Sequence, residues 1–272
     1  MRVLRVFILL IVGLMWTCSP HDELEIPSNP LDPDNPVYVS PQAEITSGPS
    51  EGEVVNATMV TFEWQGNETA SEYSYSFDGS DWSDWSQIYS MSMEYLDEGD
   101  HSFQVKARSI NADVQLIPTA IDFVVDAVSG PSAIVYPYLQ HASPGDTLEF
   151  EIRAEEVTNL FALEVEVFID TQYLELIEVL DGDIVDEWGG DLLQFQDQTD
   201  STTSLSMVAV EGESISFTGT TSLLYLKAKI APSIPYNSII HAIRILNTTY
   251  LNQSLDVVEI SGTRVGTIID SE

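Results

Sequence analysis

Residues 143–179 read SPGDTLEFEIRAEEVTNLFALEVEVFIDTQYLELIEV, and their pattern decides the fold. Pro144, Gly145 and Asp146 form a turn. Leu148, Phe150, Ile152 and Ala154 then alternate with Glu149, Glu151 and Arg153. A period of two with one apolar and one charged side is the mark of a half-buried strand. Thr158 and Asn159 read as a connection. A second alternation follows, with Leu163, Val165, Val167 and Ile169 inward and Glu164, Glu166 and Phe168 outward. Asp170 and Thr171 end it, and Tyr173 to Val179 starts a third strand.

The same punctuation continues to the end. An acidic, Gly-containing turn is expected over 181–191. Strands are expected over 192–195 and 205–210, with a loop over 196–203. Ile215 and Phe217 read as a short strand. Further strands are expected over 223–230, 239–246, 257–260 and 265–269. No long stretch has helical spacing, so the chain reads as all-β.

Residues 43–127 read as a separate, earlier sandwich. Val60, Phe62 and Trp64 alternate with Thr61 and Glu63, and Tyr73, Tyr75 and Phe77 with Ser74 and Ser76. Asp78-Gly79 is a hairpin signal. Short strands at regular spacing with polar turns suit an immunoglobulin-like sandwich. The segments FEW (62–64), YSYSFDGSDWSDW (73–85), LDEGDHSFQVKARS (96–109) and FVVD (123–126) resemble fibronectin-III and other Ig-like modules of bacterial secreted proteins. Such modules serve as spacers or adhesive units. A short VSGPS hinge, residues 128–132, separates the two expected sandwiches.

Ahead of both lies a targeting pattern. Arg2 and Arg5 precede an apolar run over 6–16, too short to span a bilayer comfortably, so residues 1–17 read as a signal peptide. Cys18 follows at once and is the only cysteine, which excludes an internal disulfide. A lone Cys directly after an apolar run resembles a bacterial lipoprotein signal, in which that Cys carries the lipid. Met15, Trp16 and Thr17 depart from the small residues usual before it. The other reading is an ordinary signal peptide with an incidental Cys. Residues 18–42 form an acidic linker stiffened by Pro20, Pro27, Pro30, Pro33, Pro36 and Pro41. Asp22, Glu23 and Glu25 resemble the export tag of some surface lipoproteins, or are simply a solvated acidic run.

Composition narrows the function. The chain of 272 residues holds 9 Lys and Arg against 44 Asp and Glu, a formal charge of −35. Without Arg2 and Arg5, seven basic residues face 44 acidic ones, a balance of −37. That field repels nucleic acid and anionic membranes, so membrane contact is expected only through lipid on Cys18. His21, His101, His141 and His241 show no metal-ligand spacing, and no nucleophile elbow or phosphate loop is present. Acidic pairs such as Asp181 with Asp183 and Glu155 with Glu156 could serve glycoside hydrolysis, but an acidic chain produces such pairs by chance. Asp181, Asp183, Asp186 and Glu187 are the one candidate surface calcium cluster. The chain is therefore expected to be a binding protein, not an enzyme, with no cofactor and no resident metal.

Three signals in order give residues 133–270 a more specific reading. Pro144-Gly145-Asp146 precedes the first long strand. Ile169-Asp170 closes an apolar strand and is followed by Leu174-Glu175. Thr218-Gly219-Thr220 leads into Leu224, Tyr225, Leu226, Lys227, Ala228 and Lys229. This order resembles a cohesin module, whose jelly-roll-like sandwich binds dockerins. The resemblance implies docking of a secreted partner that carries a dockerin-like segment; joined to the lipoprotein-like signal at Cys18, it gives the expectation of a lipid-anchored, outward-facing protein of the outer membrane or cell surface. It implies a docking face on Glu164, Glu166 and Phe168, bordered by Phe195 or Gln196 and by Glu211. Cohesins often have Asn and Asp where Ala162 and Glu164 stand here. Phe168 also has a bland reading, as a ring covered by the first sandwich or by the 182–190 loop. The alternative function is carbohydrate binding at the cell surface, because cohesins share their fold with carbohydrate-binding modules and because Tyr73, Tyr75, Trp82, Trp85 and Tyr89 supply aromatics. Core and hairpin packing is the competing account of those rings.

Overall fold

The structure, a computed structural model, describes residues 29, 32–188, 190–199, 201–212, 216–232, 235, 238–260, 263–264 and 266–270. The expected signal peptide and Cys18 lie outside the described residues. The described chain is almost entirely β.

The first sandwich contains β1 (Ala43–Ser47), β2 (Val54–Val55), β3 (Val60–Gly66), β4 (Glu72–Phe77), β5 (Ser90–Met93), β6 (Gly99–Arg108) and β7 (Thr119–Val125). Two sheets form, in the orders β1-β3-β5 and β2-β7-β6-β4. Between them Phe62, Trp64, Phe103, Val105 and Phe123 are buried, with the Phe62 and Phe103 rings stacked at 4.0 Å. Tyr73, Tyr75 and Phe77 sit opposite Ala107, Val105 and Phe103, so their side of β4 faces the core. Ser74 and Ser76, on the other side, are buried as well. The reason is local. Ser74 Oγ donates to the Ser83 carbonyl and Ser76 Oγ to the Ser80 carbonyl, which ties the 80–86 segment along this edge strand. The Trp82 and Trp85 indoles lie outside, where Lys106 Nζ stands 3.7 Å over Trp82 and the Arg108 guanidinium 4.7 Å over Trp85.

The expected free linker is only partly free. Asn35 is buried and donates from its amide to the Asn29 carbonyl, and the Tyr38 hydroxyl donates to the Asp113 carboxylate. The end of the linker therefore docks on the first sandwich.

The second sandwich contains β8 (Ser132–Tyr136), β9 (Leu139–Ala142), β10 (Thr147–Ile169), β11 (Leu174–Asp181), a single helical turn α1 (Ile184–Glu187), β12 (Gly190–Gln198), β13 (Thr202–Gly212), β14 (Phe217–Ile230), β15 (Ile239–Asn252), β16 (Val257–Val258), β17 (Thr263–Arg264) and β18 (Gly266–Asp270). Its organising element is β10. The expected break at Thr158 and Asn159 is not a break. One strand of 23 residues runs through it. Straight, it would reach about 75 Å, too long for one sandwich, so it must bend. The bend is made by two bulges, where Glu156 and Asn159 have φ of 50° and 54° and the register with β14 shifts. The partner strand yields there through Gly219, whose φ of 140° suits a residue without Cβ.

The bend carries β10 from one sheet to the other. Its first half pairs with β14 and β8, and its second half with β13 and β15. One layer thus reads β11-β14-β10-β8, and the other β12-β13-β10-β15-β18-β9. Phe150, Ile152, Leu224 and Leu226 from the first layer and Val165, Val167, Leu205 and Ile243 from the second are fully buried in one core. The inward register expected for Leu163, Val165, Val167 and Ile169 agrees with their burial.

Several boundaries differ from expectation. Phe217 belongs to the same strand as residues 223–230, and Ile215 and Val265 lie outside the described residues. The 196–203 loop shrinks to a tight hairpin between β12 and β13. The 181–191 turn contains α1, because Ile184 and Trp188 are apolar anchors and are buried. Gly182 permits this: a Cβ there would lie 2.2 Å from the Ser222 carbonyl oxygen.

Candidate functional site

The outer surface of the β12-β13-β10-β15 layer is built from four cross-strand rows. Directly paired residues of antiparallel strands share a face. The first row is Leu193, Val208, Ala162 and Leu251. The second is Phe195, Ser206, Glu164 and Thr249. Asp197, Ser204, Glu166 and Asn247 form the third, and Thr202, Phe168 and Arg244 the fourth. The surface passes from aliphatic, through mixed, to acidic, and ends on one cation over one ring.

A shallow hollow of about 240 Å³ occupies the first two rows. Leu193 and Phe195 are 46% and 64% exposed at its rim. Glu164 stands in the hollow, exposed, with small Ala162 and Ser206 beside it. The small side chains make the depression, and the large ones on β12 make its wall. Among the described residues β12 pairs only with β13, which makes it an edge strand.

The sequence-derived site residues fall as follows. Glu164, Glu166, Phe168 and Phe195 share this face. Gln196 sits opposite the buried Leu205, on the reverse side of the edge strand. The backbone of Glu211 pairs with Asp191 at the far end of β13. Phe168 is only partly exposed. The Arg244 guanidinium lies over its ring at 4.6 Å. Leu193, Val208, Thr249 and Leu251 were not singled out from sequence. Thr249 and Leu251 could have been, since buried Tyr250 between them continues the alternation of β15 past the polar Asn247-Thr248 pair.

The outer face of the opposite layer is different in kind. Lys227 Nζ lies 3.1 Å from Glu149, and Arg153 2.8 Å from Glu151 and 4.0 Å over the Tyr136 ring. Tyr225 donates to Asp183 at 2.8 Å. Glu149 and Glu151 are thus matched by cations within the sheet. The candidate calcium cluster is likewise dispersed. Asp181 accepts from Gln194 while Asp183 accepts from Tyr225, and no group of three or more metal-ligating side chains converges among the described residues.

The rows mix polar and apolar side chains around a shallow hollow. No helix among the described residues is long and apolar enough to cross a membrane.

Comparison with known proteins gives one family. The cohesin domain model matches residues 139–268. Comparison with curated proteins finds no match. Among solved structures, the chain is similar to a non-cellulosomal cohesin from Archaeoglobus fulgidus, at 14% identity and TM-score 0.40, over 52% of this chain and 91% of that one. It is similar to the sixth cohesin of scaffoldin B from Acetivibrio cellulolyticus, solved with a dockerin, at 17% identity and TM-score 0.42, over 53% and 100%. A cohesin–dockerin complex from Clostridium thermocellum matches at 15% identity and TM-score 0.41, over 51% and 97%.

Proposed function

We propose that this chain is a surface-displayed bacterial lipoprotein whose second sandwich docks a secreted protein carrying a dockerin-like segment. The observation that carries the reading is the graded face of β12, β13, β10 and β15, which lies within the span of the cohesin-domain match. A docking helix would seat an apolar side chain in the hollow between Phe195, Leu193 and Leu251. Its basic residues would meet Glu164, Glu166 and Asp197. The first sandwich acts as a spacer between this module and the cell, and Cys18 carries the lipid.

Carbohydrate binding is the weaker reading. Of the five candidate rings, Tyr73 and Tyr75 are used by the core, Trp82 and Trp85 carry Lys106 and Arg108 over their faces, and Tyr89 alone stands well exposed. Phe168 and Phe195 stand two rows apart and make no continuous platform. Titrating the chain against a panel of dockerin modules, with soluble polysaccharides alongside, tests both readings. Micromolar or tighter binding to at least one dockerin is expected, and binding to polysaccharide alone would overturn the reading. Separately, Cys18→Ser should move the protein from the membrane fraction into the medium or periplasm. Unchanged fractionation would remove the anchor from the proposal.

A further inference from the structure

The first sandwich has two poles. β6 spans about 30 Å between them. At one pole β6 begins and β7 ends, and Asp97 accepts from the Tyr138 backbone N–H at 2.6 Å, which joins the first sandwich to the second. At the other pole β6 ends, β7 begins and the N-terminal segment arrives, with Ala43 N–H donating to Gln115 at 2.8 Å.

That second pole exposes large aliphatic side chains. Leu116 is 92% exposed, Ile117 77%, Ile110 76%, Val37 70% and Val39 58%. The loop that carries three of them is held in place. Ser109 N–H donates to the Asp113 carbonyl at 2.8 Å, Gln115 N–H to the Ala107 carbonyl at 2.9 Å, and the Gln115 amide to the Ile117 carbonyl at 2.8 Å. Tyr38, between the two valines, reaches the Asp113 carboxylate and ties the incoming segment to the loop. A braced loop that holds this much apolar surface in water is a contact surface rather than a scatter of single side chains.

We infer that this pole rests on a lipid bilayer, with the 109–118 loop and Val37 and Val39 in the interfacial region. The inference builds on the proposed anchor at Cys18. The apolar run 6–16 and Cys18 precede this pole, and the nineteen residues from Cys18 to Val37 reach at most about 65 Å when extended. Charge selects the same surface. Asp113 is the only acid or base in residues 109–118, residues 36–42 hold none, and the Asp113 carboxylate is engaged by Tyr38. In a chain of charge −35 this is a neutral patch. It fits a zwitterionic headgroup layer, and the rest of the molecule is repelled from anionic lipid. The pole that meets the second sandwich then points outward, which presents the docking module to the medium.

The test couples the full chain through its one thiol, Cys18, to phosphatidylcholine vesicles bearing a maleimide lipid, and follows backbone hydrogen exchange. Residues 109–118 should exchange about tenfold more slowly on vesicles than free, while residues 190–198 are unchanged. The double variant Leu116→Asp, Ile117→Asp should lose that protection and keep the protection of β6 and β7. Equal exchange of 109–118 with and without vesicles overturns the inference, as does protection that survives the double variant. Protection that rises with protein concentration without vesicles would assign the patch to a second copy and also overturn it. Because the tether is chemical, a failure of lipidation in the cell is read separately, from fractionation of Cys18→Ser.

Discussion

Phe195→Ala should separate binding from folding. The side chain is 64% exposed on β12 and walls the hollow in which Glu164 stands. A phenylalanine carries roughly 150–200 Å² of surface, so a docked partner would cover about 100–130 Å² of it. At about 25 cal/mol per Å² that is worth about 3 kcal/mol, of which alanine would retain about a third. The expected loss is about 2 kcal/mol, or about thirtyfold in Kd. Folding should suffer little, because the ring packs on nothing inward and β12 is an edge strand: the cost is below about 1 kcal/mol, a few degrees in Tm. Leu205→Ala is the control. Leu205 is fully buried on the inward side of the neighbouring strand, and truncation there should cost about 2–5 kcal/mol of stability. Phe168→Ala lies between them, since the ring already stacks with Arg244 and has less surface left to offer. The assay is calorimetric titration of each variant with a dockerin module that the parent binds, paired with its thermal melt. Unchanged Kd for Phe195→Ala would put the docking face elsewhere. A Tm loss as large as that of Leu205→Ala would show that the register of β12 is misread.

Charge reversal at Glu164→Lys should slow association with a basic partner and flatten its salt dependence, read by stopped-flow at two ionic strengths; equal rates in parent and variant would exclude electrostatic steering by this face. His101 gives a pH test. Burial of its ring pushes its pKa down, but the Asp78 carboxylate at 2.7 Å, the Asp97 carbonyl and their charges outweigh this and leave it raised. A raised folded pKa means stabilisation that is complete below the unfolded value of about 6.5 and is lost as pH rises through the folded value. The urea midpoint of the parent should therefore fall more between pH 5.5 and pH 8.5 than that of His101→Gln, and parallel falls would refute the linkage. The two sandwiches should melt in separate cooperative transitions, since each has its own hydrophobic core and they are joined by local contacts such as Tyr138 N–H to Asp97 and the Tyr95 and Tyr138 rings at 5.2 Å. A single calorimetric transition that survives Asp97→Ala would contradict this.

The elements that were legible in the sequence are those where one physical rule dominates. Alternation along residues 163–169 put Leu163, Val165, Val167 and Ile169 inside, and a single-step slip would have buried Glu164 and Glu166. The same alternation showed Glu164, Glu166 and Phe168 to share a side. Bulges were hidden because the residues that make them look like linkers. Glu156 and Asn159 take positive φ in the middle of a strand, and the polar Thr158-Asn159 pair between two alternations imitates a turn. The far end of β15 was hidden for a related reason. Asn247 and Thr249 are polar because they face outward with Glu166 and Glu164, while Tyr250, directly after Thr249, is fully buried.

Neighbours across strands are the part that no local pattern supplies. The proposed docking face has Leu193 beside Val208, Val208 beside Ala162 and Ala162 beside Leu251, four residues scattered over 90 positions of sequence. Only the crossing of β10 from one layer to the other brings them together. The first half of β10 is paired with β14 and β8, and its outward acids are met by Lys227 and Arg153. The second half is paired with β13 and β15, and its outward acids, Glu164 and Glu166, lie across from serine, threonine and asparagine. Within one strand, Glu149 and Glu151 thus have cations beside them, while Glu164 and Glu166 have only uncharged cross-strand neighbours. What differs is the neighbours: Lys227 on β14 and Arg153 on β10 itself meet Glu149 and Glu151, whereas Glu164 and Glu166 pair with serine, threonine and asparagine, which under the proposed function would leave them to a basic ligand.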